Sequence, residues 1–434
     1  MGAADQVVLV RRHDVFSHGV LNAFTWLFLA ALAAATLMRL WLALRQMAHV
    51  RAHRDAVPPG FADVMPLAAH RKAADYTVAK ARLRIVDALL DAVILVALTL
   101  GGVLQLLIDL WADRLPVQNL WHGAVVIVTV FVLRGALGIP LDLYRTFVLE
   151  ERFGFNRMTL VLYLADMAKG LLVAGLLGVP LLLAVLWLMQ AAGPYWWLYA
   201  WALVVVYSVF LQLVVPTLVM PLFNKFSPLQ DATLAERVTR LLQRCGFRSK
   251  GLYVMDGSKR SSHGNAYFTG FGAAKRIVFF DTLLSRLAPG EVEAVLAHEL
   301  GHYKLRHVLK GMLLGWATMF AMLCALGLMV EEPWFYAGLG VQTQTLALGL
   351  LLFLLVASEF TFFLQPLVSL YSRKHEFEAD SYAASHASAA ELARALVKLY
   401  QDNAATLTPD PLHSAFYDSH PPAATRIARL QAGT

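Results

Sequence analysis

The stretch Val295-Leu-Ala-His-Glu-Leu-Gly-His-Tyr303 carries a His-Glu-x-x-His pattern in a strongly helical context. Residues four apart lie on one face of an α-helix, so His298 and His302 can bind a single Zn²⁺. Glu299, one step round the helix, can reach the water on that metal and act as its general base. The pattern is typical of a zinc metallopeptidase. A chain with 14 His can also contain it by chance, so the rest of the sequence has to support it.

A third zinc ligand is predicted from Tyr371–Asp380, an acidic helical segment that follows a long apolar run. Catalytic zinc sites normally combine three protein ligands with a water, and Glu376 can supply the third ligand. Asp380, one turn later on the same face, can accept the free N–H of a ligating histidine and fix its tautomer. Taken alone, these acidic residues could form a solvated helix face. Beside the two histidines, Glu376 is preferred as the ligand over Glu378, which points to another side of the helix.

Composition places this chemistry in a membrane. Apolar residues make up 58% of the chain and charged residues 15%, and the mean hydropathy of +0.57 lies far above that of a soluble domain. Seven apolar runs are long enough to cross roughly 30 Å of hydrocarbon. They are Val20–Leu44, Ile85–Trp111, Leu120–Leu141, Lys169–Met189, Trp196–Met220, Val308–Val330 and Thr345–Leu370. The first begins too far in and runs too long for a cleaved signal peptide, so we expect a retained helix.

Basic residues predict the orientation of these spans. Eight Lys and Arg residues follow the first span and two precede it, so the first loop is expected to be cytoplasmic. The eight are Arg45, Arg51, Arg54, Arg71, Lys72, Lys80, Arg82 and Arg84. Seven crossings then place both zinc motifs on the cytoplasmic side. The net charge of +7 agrees with loops that face anionic lipid headgroups, and nothing resembles a nucleic-acid-binding module.

The same alternation divides the chain into four regions. Residues 1–220 hold five spans, 221–307 form a cytoplasmic catalytic segment, 308–370 hold two further spans, and 371–434 complete the zinc site. Several polar residues lie in or at the ends of the apolar helices, where they could line a wet interior or reach the membrane interface. They are Asp87, Asp91, Gln105, Arg134, Asp166, Lys169 and Gln212.

The catalytic segment is predicted to contain a small sheet before the zinc helix. An amphipathic helix over Leu234–Cys245 precedes short strands at Leu252–Met255, Asn265–Thr269 and Arg276–Phe280. A strand edge beside a zinc helix can align an extended peptide over the metal by adding it as another strand. Asn265, Ala266 and Tyr267 are the candidates for that edge, although they could equally be ordinary sheet residues. His307, five residues beyond His302, is expected to lie outside the helix face that points toward the metal.

Six further motifs make the chain resemble the integral-membrane zinc endopeptidases of the CAAX prenyl protease family, nearly end to end. They are Glu150-Glu-Arg-Phe-Gly-Phe-Asn156, Pro221-Leu-Phe-Asn-Lys-Phe226, Ser261-Ser-His-Gly-Asn-Ala-Tyr-Phe268, Lys275-Arg-Ile-Val-Phe-Phe-Asp-Thr-Leu-Leu284, Ser372-Arg-Lys-His-Glu-Phe-Glu-Ala-Asp380 and Tyr417-Asp-Ser-His-Pro-Pro422. The resemblance implies a mainly α membrane protein. Its seven long helices would form a barrel around a water-filled chamber, closed by a gluzincin-like α+β cytoplasmic domain.

The resemblance also assigns roles. It implies one Zn²⁺ per chain, with His298, His302 and Glu376 as its ligands and Glu299 as the general base, and it places His420 and Arg426 along the active site. Either side chain could stabilise the negative charge that builds on the carbonyl oxygen during attack. From the residues alone, the segment around His420 fits a capped turn into a final helix with Arg426 solvated on it.

The Ala/Leu/Val/Arg-rich, lysine-poor composition is typical of a bacterium, which predicts the inner membrane as the location. Bacteria generally lack protein prenylation, so the expected role is to process or clear membrane-associated polypeptides, with CAAX peptides as substrates in vitro. The competing hypothesis is a transporter or channel with a structural zinc site. Glu299 distinguishes the two, because a structural site is closed by four protein ligands and needs no adjacent base.

Overall fold

Long helices dominate the computed structural model, which describes residues 21–247, 249–264, 266–269 and 276–432. The N-terminal half contains α1 (Ala23–Ala52), α2 (Leu67–Leu98), α3 (Val103–Ala112), α4 (Leu120–Tyr144), α5 (Leu160–Ala191), α6 (Trp196–Val214) and the short α7 (Met220–Phe223). Two of these helices continue through π-helical turns, α4 over Arg145–Glu150 and α6 over Val215–Val219. Asn22 caps α1, where its side chain accepts from the backbone N–H of Thr25.

The C-terminal half mixes strands with helices. Its strands are β1 (Phe226–Pro228), β2 (Leu252–Met255), β3 (Ala266–Thr269) and β4 (Arg276–Phe280). Its helices are α8 (Ala232–Arg244), α9 (Asp281–Leu284), α10 (Pro289–Lys304), α11 (His307–Met329), α12 (Pro333–Gly338), α13 (Leu346–Thr361), α14 (Gln365–His386), α15 (Ala389–Asp402), α16 (Pro411–Tyr417) and α17 (Ala423–Ala432). The predicted mixture of membrane helices with a small α+β region is therefore confirmed.

Six helical runs in the described part of the chain are long and apolar enough to cross a bilayer, and the bent pair α2 and α3 could make a seventh. The second predicted span, Ile85–Trp111, falls on this pair and contains a bend, because its two parts meet at 49°. Gly102 has a left-handed φ of 76°, and a Cβ on Gly101 would lie 2.8 Å from the backbone of Ala97. Glycine suits both requirements, so the break follows from the Gly-Gly pair.

Charged side chains inside the apolar region are paired with one another. Arg134 Nη2 on α4 lies 3.6 Å from Asp91 Oδ1 on α2, and Arg145 Nη2 donates to Asp87 Oδ2 at 3.0 Å. Pairing of this kind lowers the cost of a charge in a poorly polar environment. The ion pair is how the structure accommodates Arg134, whereas a water-filled chamber beside it stays a prediction.

A four-stranded sheet lies against α10, the helix with the His-Glu-x-x-His pattern, in the order β1-β2-β4-β3. The β2–β4 pair is parallel and the other two pairs are antiparallel. The bounds of β2 and β4 agree with those predicted, whereas β1 was missed because three residues that end at Pro228 carry little strand signal. The inner face of the sheet, α8, α10, α15 and α17 share one buried core, which fixes α10 in place.

The last apolar run leads directly from the membrane to the predicted third ligand. α13 continues through a 3₁₀ turn at Phe362–Leu364 into α14, so that Leu346–His386 forms one helical run of 41 residues. Its first part packs in the apolar core of the membrane region, and its last part carries Glu376 and Asp380. The position of these carboxylates is therefore tied to the membrane helices.

Candidate active site

The site begins where α10 crosses α14 at close range. A Cβ on Gly301 would lie 3.0 Å from the Cα of Ala379 and 3.1 Å from the Cβ of Tyr382. A larger side chain at either Gly301 or Ala379 would push the two helices apart. The glycine within the His-Glu-x-x-His pattern therefore allows the histidines of α10 to face Glu376 on α14.

Donor atoms of three residues lie close together at this crossing, and we call the set of His298, His302 and Glu376 the donor triangle. His298 Nε2 lies 3.2 Å from His302 Nε2, and Glu376 completes the triangle with Oε1 3.3 Å from His302 Nε2 and Oε2 3.5 Å from His298 Nε2. Ligand atoms bound tetrahedrally at about 2.0–2.1 Å stand about 3.3 Å apart. The two imidazole nitrogens have this spacing, and each has one Glu376 oxygen at a similar distance. Glu376 Oε2 is also buried, and among the described residues it accepts no hydrogen bond, although Arg426 Nη1 lies 3.2 Å from it. The donor set fits a zinc ion.

Asp380 lies behind the first histidine, where it was predicted to lie. Its Oδ1 is 2.9 Å from His298 Nδ1, the nitrogen that faces away from the triangle. Burial alone would lower the pKa of His298, but the nearby carboxylates of Asp380 and Glu376 favour the protonated ring and raise that pKa to about 9. The two carboxylates thus strongly favour positive charge at this position, whether a proton or a metal ion carries it.

Arg426, on α17, is buried against the same carboxylates. Its Nε and Nη2 donate to Asp380 at 2.8 and 2.6 Å, and its Nη1 lies 3.2 Å from Glu376 Oε2. Burial disfavours the charged guanidinium, but the hydrogen bonds with Asp380 more than compensate and raise the pKa of Arg426. Because the fork is bidentate on Asp380, this side chain is suited to hold the carboxylates in place rather than to follow a reacting oxygen.

His420 lies on the open side of the triangle. Its Nε2 is 3.4 Å from Glu376 Oε1, while 62% of its side chain remains exposed. The hydroxyl of Ser419 is 3.0 Å from the other ring nitrogen. The imidazole therefore lies next to the donor atoms of Glu376, and one edge of the ring is accessible from outside.

Glu299 is half-buried beside the histidines on α10. Within the described part of the chain, its carboxylate makes no hydrogen bond or ion pair. Burial is the main cause that raises the pKa of Glu299 above its usual value. A carboxylate of this kind can take up a proton more readily than one that is already held by a partner.

The predicted substrate strand is only partly within the described residues, since Asn265 lies outside them. Ala266 is buried and pairs with Phe279, and Tyr267 pairs with Val278. In the described sheet, β3 is the last strand in the order and lies beside α10. The structure thus brings Ala266 and Tyr267 to a sheet edge near the zinc helix, as an added peptide strand would require.

The sequence did not predict that His307 contacts His302 on the side away from Glu376. α10 ends at Lys304, and Arg306 adopts a left-handed φ of 58° that turns the chain into α11. This turn returns His307 toward the metal site, so that its Nδ1 lies 3.0 Å from His302 Nδ1. A five-residue spacing on a continuous helix would not bring these rings together, so the sequence contained no signal for the contact.

A membrane-embedded helical fold with this donor set defines an integral-membrane zinc metalloprotease. Residues 46–225 match the family described as CAAX prenyl protease N-terminal, five membrane helices, and residues 228–434 match Peptidase family M48. The chain therefore belongs to the CAAX prenyl protease family of M48 peptidases.

Similar proteins support this assignment over most of the chain. A CAAX prenyl protease 1 homolog of Arabidopsis thaliana is 37% identical and covers 73% of this chain and 74% of its own length. A homolog from Caenorhabditis elegans is 31% identical over 94% of this chain and 98% of its own length. The crystal structure of S. mikatae Ste24p has a TM-score of 0.88 at 29% identity and covers 94% of this chain and 99% of that chain. The alternative of a transporter or channel finds no support among them.

Proposed function

We propose that His298, His302 and Glu376 hold one zinc ion per chain and that Glu299 is the general base of peptide-bond hydrolysis. The observation that carries the proposal is a donor set in which His298 Nε2 and His302 Nε2 lie 3.2 Å apart and each has one Glu376 oxygen at 3.3 or 3.5 Å. It would leave a fourth tetrahedral position open, as in catalytic rather than structural zinc sites.

The remaining groups divide the chemistry between them. A zinc ion held by these ligands would polarise the scissile carbonyl and lower the pKa of a bound water toward about 7. Glu299 takes a proton from the attacking water and returns it to the leaving amine, so no covalent intermediate forms. His420 is the candidate donor to the developing oxyanion because it is exposed at the site. Arg426 acts through Asp380 and Glu376 and is a positioning residue.

The proposed substrates are membrane-associated polypeptides in extended conformation. Their backbone would add to β3 near Ala266 and Tyr267, which places the scissile bond beside α10. The curated relatives are CAAX prenyl proteases, and we extend this to CAAX peptides as substrates of the present protein in vitro. Processing or clearance of membrane polypeptides is the proposed role in the cell.

The proposed location is a bacterial inner membrane with the site on the cytoplasmic side. The bacterial membrane is supported by the lysine-poor composition. The orientation is supported by the eight basic residues of the first loop and by the alternation of seven spans, which counts the bent pair α2 and α3 as one span. The division into regions 1–220, 221–307, 308–370 and 371–434 belongs to the same proposal, since it follows from those spans.

A direct assay tests the activity. The purified protein is incubated with a prenylated CAAX peptide, its unprenylated counterpart and an unfolded membrane polypeptide, and new termini are identified by mass spectrometry. We expect cleavage that a chelator stops and added zinc restores. Zinc-loaded Glu299→Gln serves as the matched control. Cleavage by that variant at the parent rate would exclude Glu299 as the base.

A further inference from the structure

A buried chain of polar side chains extends from the second histidine of the zinc pair. His307 is 5% exposed, and its Nδ1 lies 3.0 Å from His302 Nδ1. Its other ring nitrogen, Nε2, lies 2.9 Å from Glu378 Oε2. The three side chains come from α10, α11 and α14, so the contact joins the zinc helix to both neighbouring helices.

The geometry assigns the proton in each contact of the series His302, His307 and Glu378. Two ring nitrogens at 3.0 Å can share only one proton, so one donates and the other accepts. His302 Nε2 belongs to the donor triangle and must keep its lone pair for the metal, which leaves the proton on His302 Nδ1. His307 Nδ1 therefore accepts. The proton of a neutral His307 then lies on Nε2, which donates to Glu378.

We propose that His307 and Glu378 are positioning residues that fix the tautomer and the ring orientation of His302. They would do for His302 what Asp380 does for His298, through one additional imidazole. This inference rests on the proposed zinc site and adds a second, separate support to it. Glu378 was not preferred as a zinc ligand, and here it is the hydrogen-bond acceptor for His307.

A second metal ion is the competing explanation for this cluster. Donor atoms of His307, His375 and Glu378 lie within 4.8 Å of one another. However, the rings of His307 and His375 stack at 4.0 Å with only 8° between their planes. Lone pairs in the planes of parallel rings do not converge on one tetrahedral ion. A metal on His307 Nε2 would also leave a proton on Nδ1 that faces the proton of His302.

The cluster supplies its own matched variants. His307→Leu removes the acceptor for His302 Nδ1, whereas His307→Asn keeps an oxygen near the position of His307 Nδ1. His375→Leu removes a ring that stacks on His307. Among the described residues, the His375 ring makes no hydrogen bond with His302 or Glu378. Comparing the three separates the loss of the acceptor from the loss of packing.

The primary measurement is the rate at which zinc-loaded protein in detergent transfers its metal to a colorimetric chelator. We expect release to be about 10–100-fold faster in His307→Leu, because the free His302 ring can then adopt the wrong tautomer. His307→Asn should recover most of this loss, and His375→Leu should release zinc at close to the parent rate. Cobalt substituted for zinc should show an altered visible spectrum in His307→Leu alone.

Two results would overturn the inference. One is release from folded His307→Leu at the parent rate. The other is a parent protein with two zinc ions per chain, one of which is lost in both His307→Leu and His375→Leu. Failure of the zinc site itself is distinguishable, because it would appear as a parent protein without zinc or as Glu376→Ala with full occupancy. Size-exclusion profiles identify any variant that has not folded, and His307→Asn then still provides the comparison with His375→Leu.

Discussion

Replacing Arg426 with methionine should destabilise the C-terminal half of the protein strongly. Arg426 and Asp380 each expose 6% of their side chain, and hydrogen bonds of 2.8 and 2.6 Å join them. Removing one member of a buried ion pair leaves the other charge without its partner, which costs about 3–5 kcal/mol. For a folding unit of about 200 residues this corresponds to a fall in Tm of about 6–20 °C.

A native cysteine provides the assay. Cys245 is 4% exposed and lies in the same buried core as Ile427, the neighbour of Arg426 on α17. A thiol-reactive fluorophore will therefore label Cys245 when that core opens on heating in detergent. Cys324, on α11, is only partly buried, so the parent and every variant carry Cys324→Ala. The midpoint of the labelling curve reports Tm.

The double variant Arg426→Met with Asp380→Leu is the control. It replaces both charges by apolar side chains, and it should recover most of the Tm lost in Arg426→Met. Zinc affinity should nevertheless fall by about 10–100-fold in the double variant, because His298 loses the acceptor at its Nδ1. A single variant within about 2 °C of the parent, or a double variant less stable than the single one, would refute the reasoning.

Three further predictions test the site and its location. Glu376→Ala should lose zinc while Glu299→Gln keeps it and loses turnover, which metal analysis beside a peptide-cleavage assay will decide; full occupancy in Glu376→Ala would contradict the ligand assignment. His420→Ala should keep zinc while kcat falls by about 10²-fold, and near-normal kcat would leave only the turn as its role. A cysteine introduced at Ser258 should be shielded from an impermeant thiol reagent in intact cells and one at Gln342 should react, so labelling at Ser258 would reverse the assigned orientation.

The sequence alone determined the membrane character, the helix with the metal pattern and the strands β2 and β4. These are local properties. A span requires about 20 consecutive apolar residues, and two histidines four apart share a helix face whatever surrounds them. Runs of β-branched and aromatic residues likewise predicted Leu252–Met255 and Arg276–Phe280 with the observed bounds.

Only the tertiary structure decided what surrounds the histidines. The third side of the donor triangle depends on the close approach of Gly301 to Ala379, and the solvated arginine suggested by the last helix is instead a buried partner of Asp380. The contact of His307 with His302 depends on a left-handed Arg306. The physical reason is the same in each case: the direction and burial of a side chain follow from the packing of segments far apart in the chain, which no local pattern encodes.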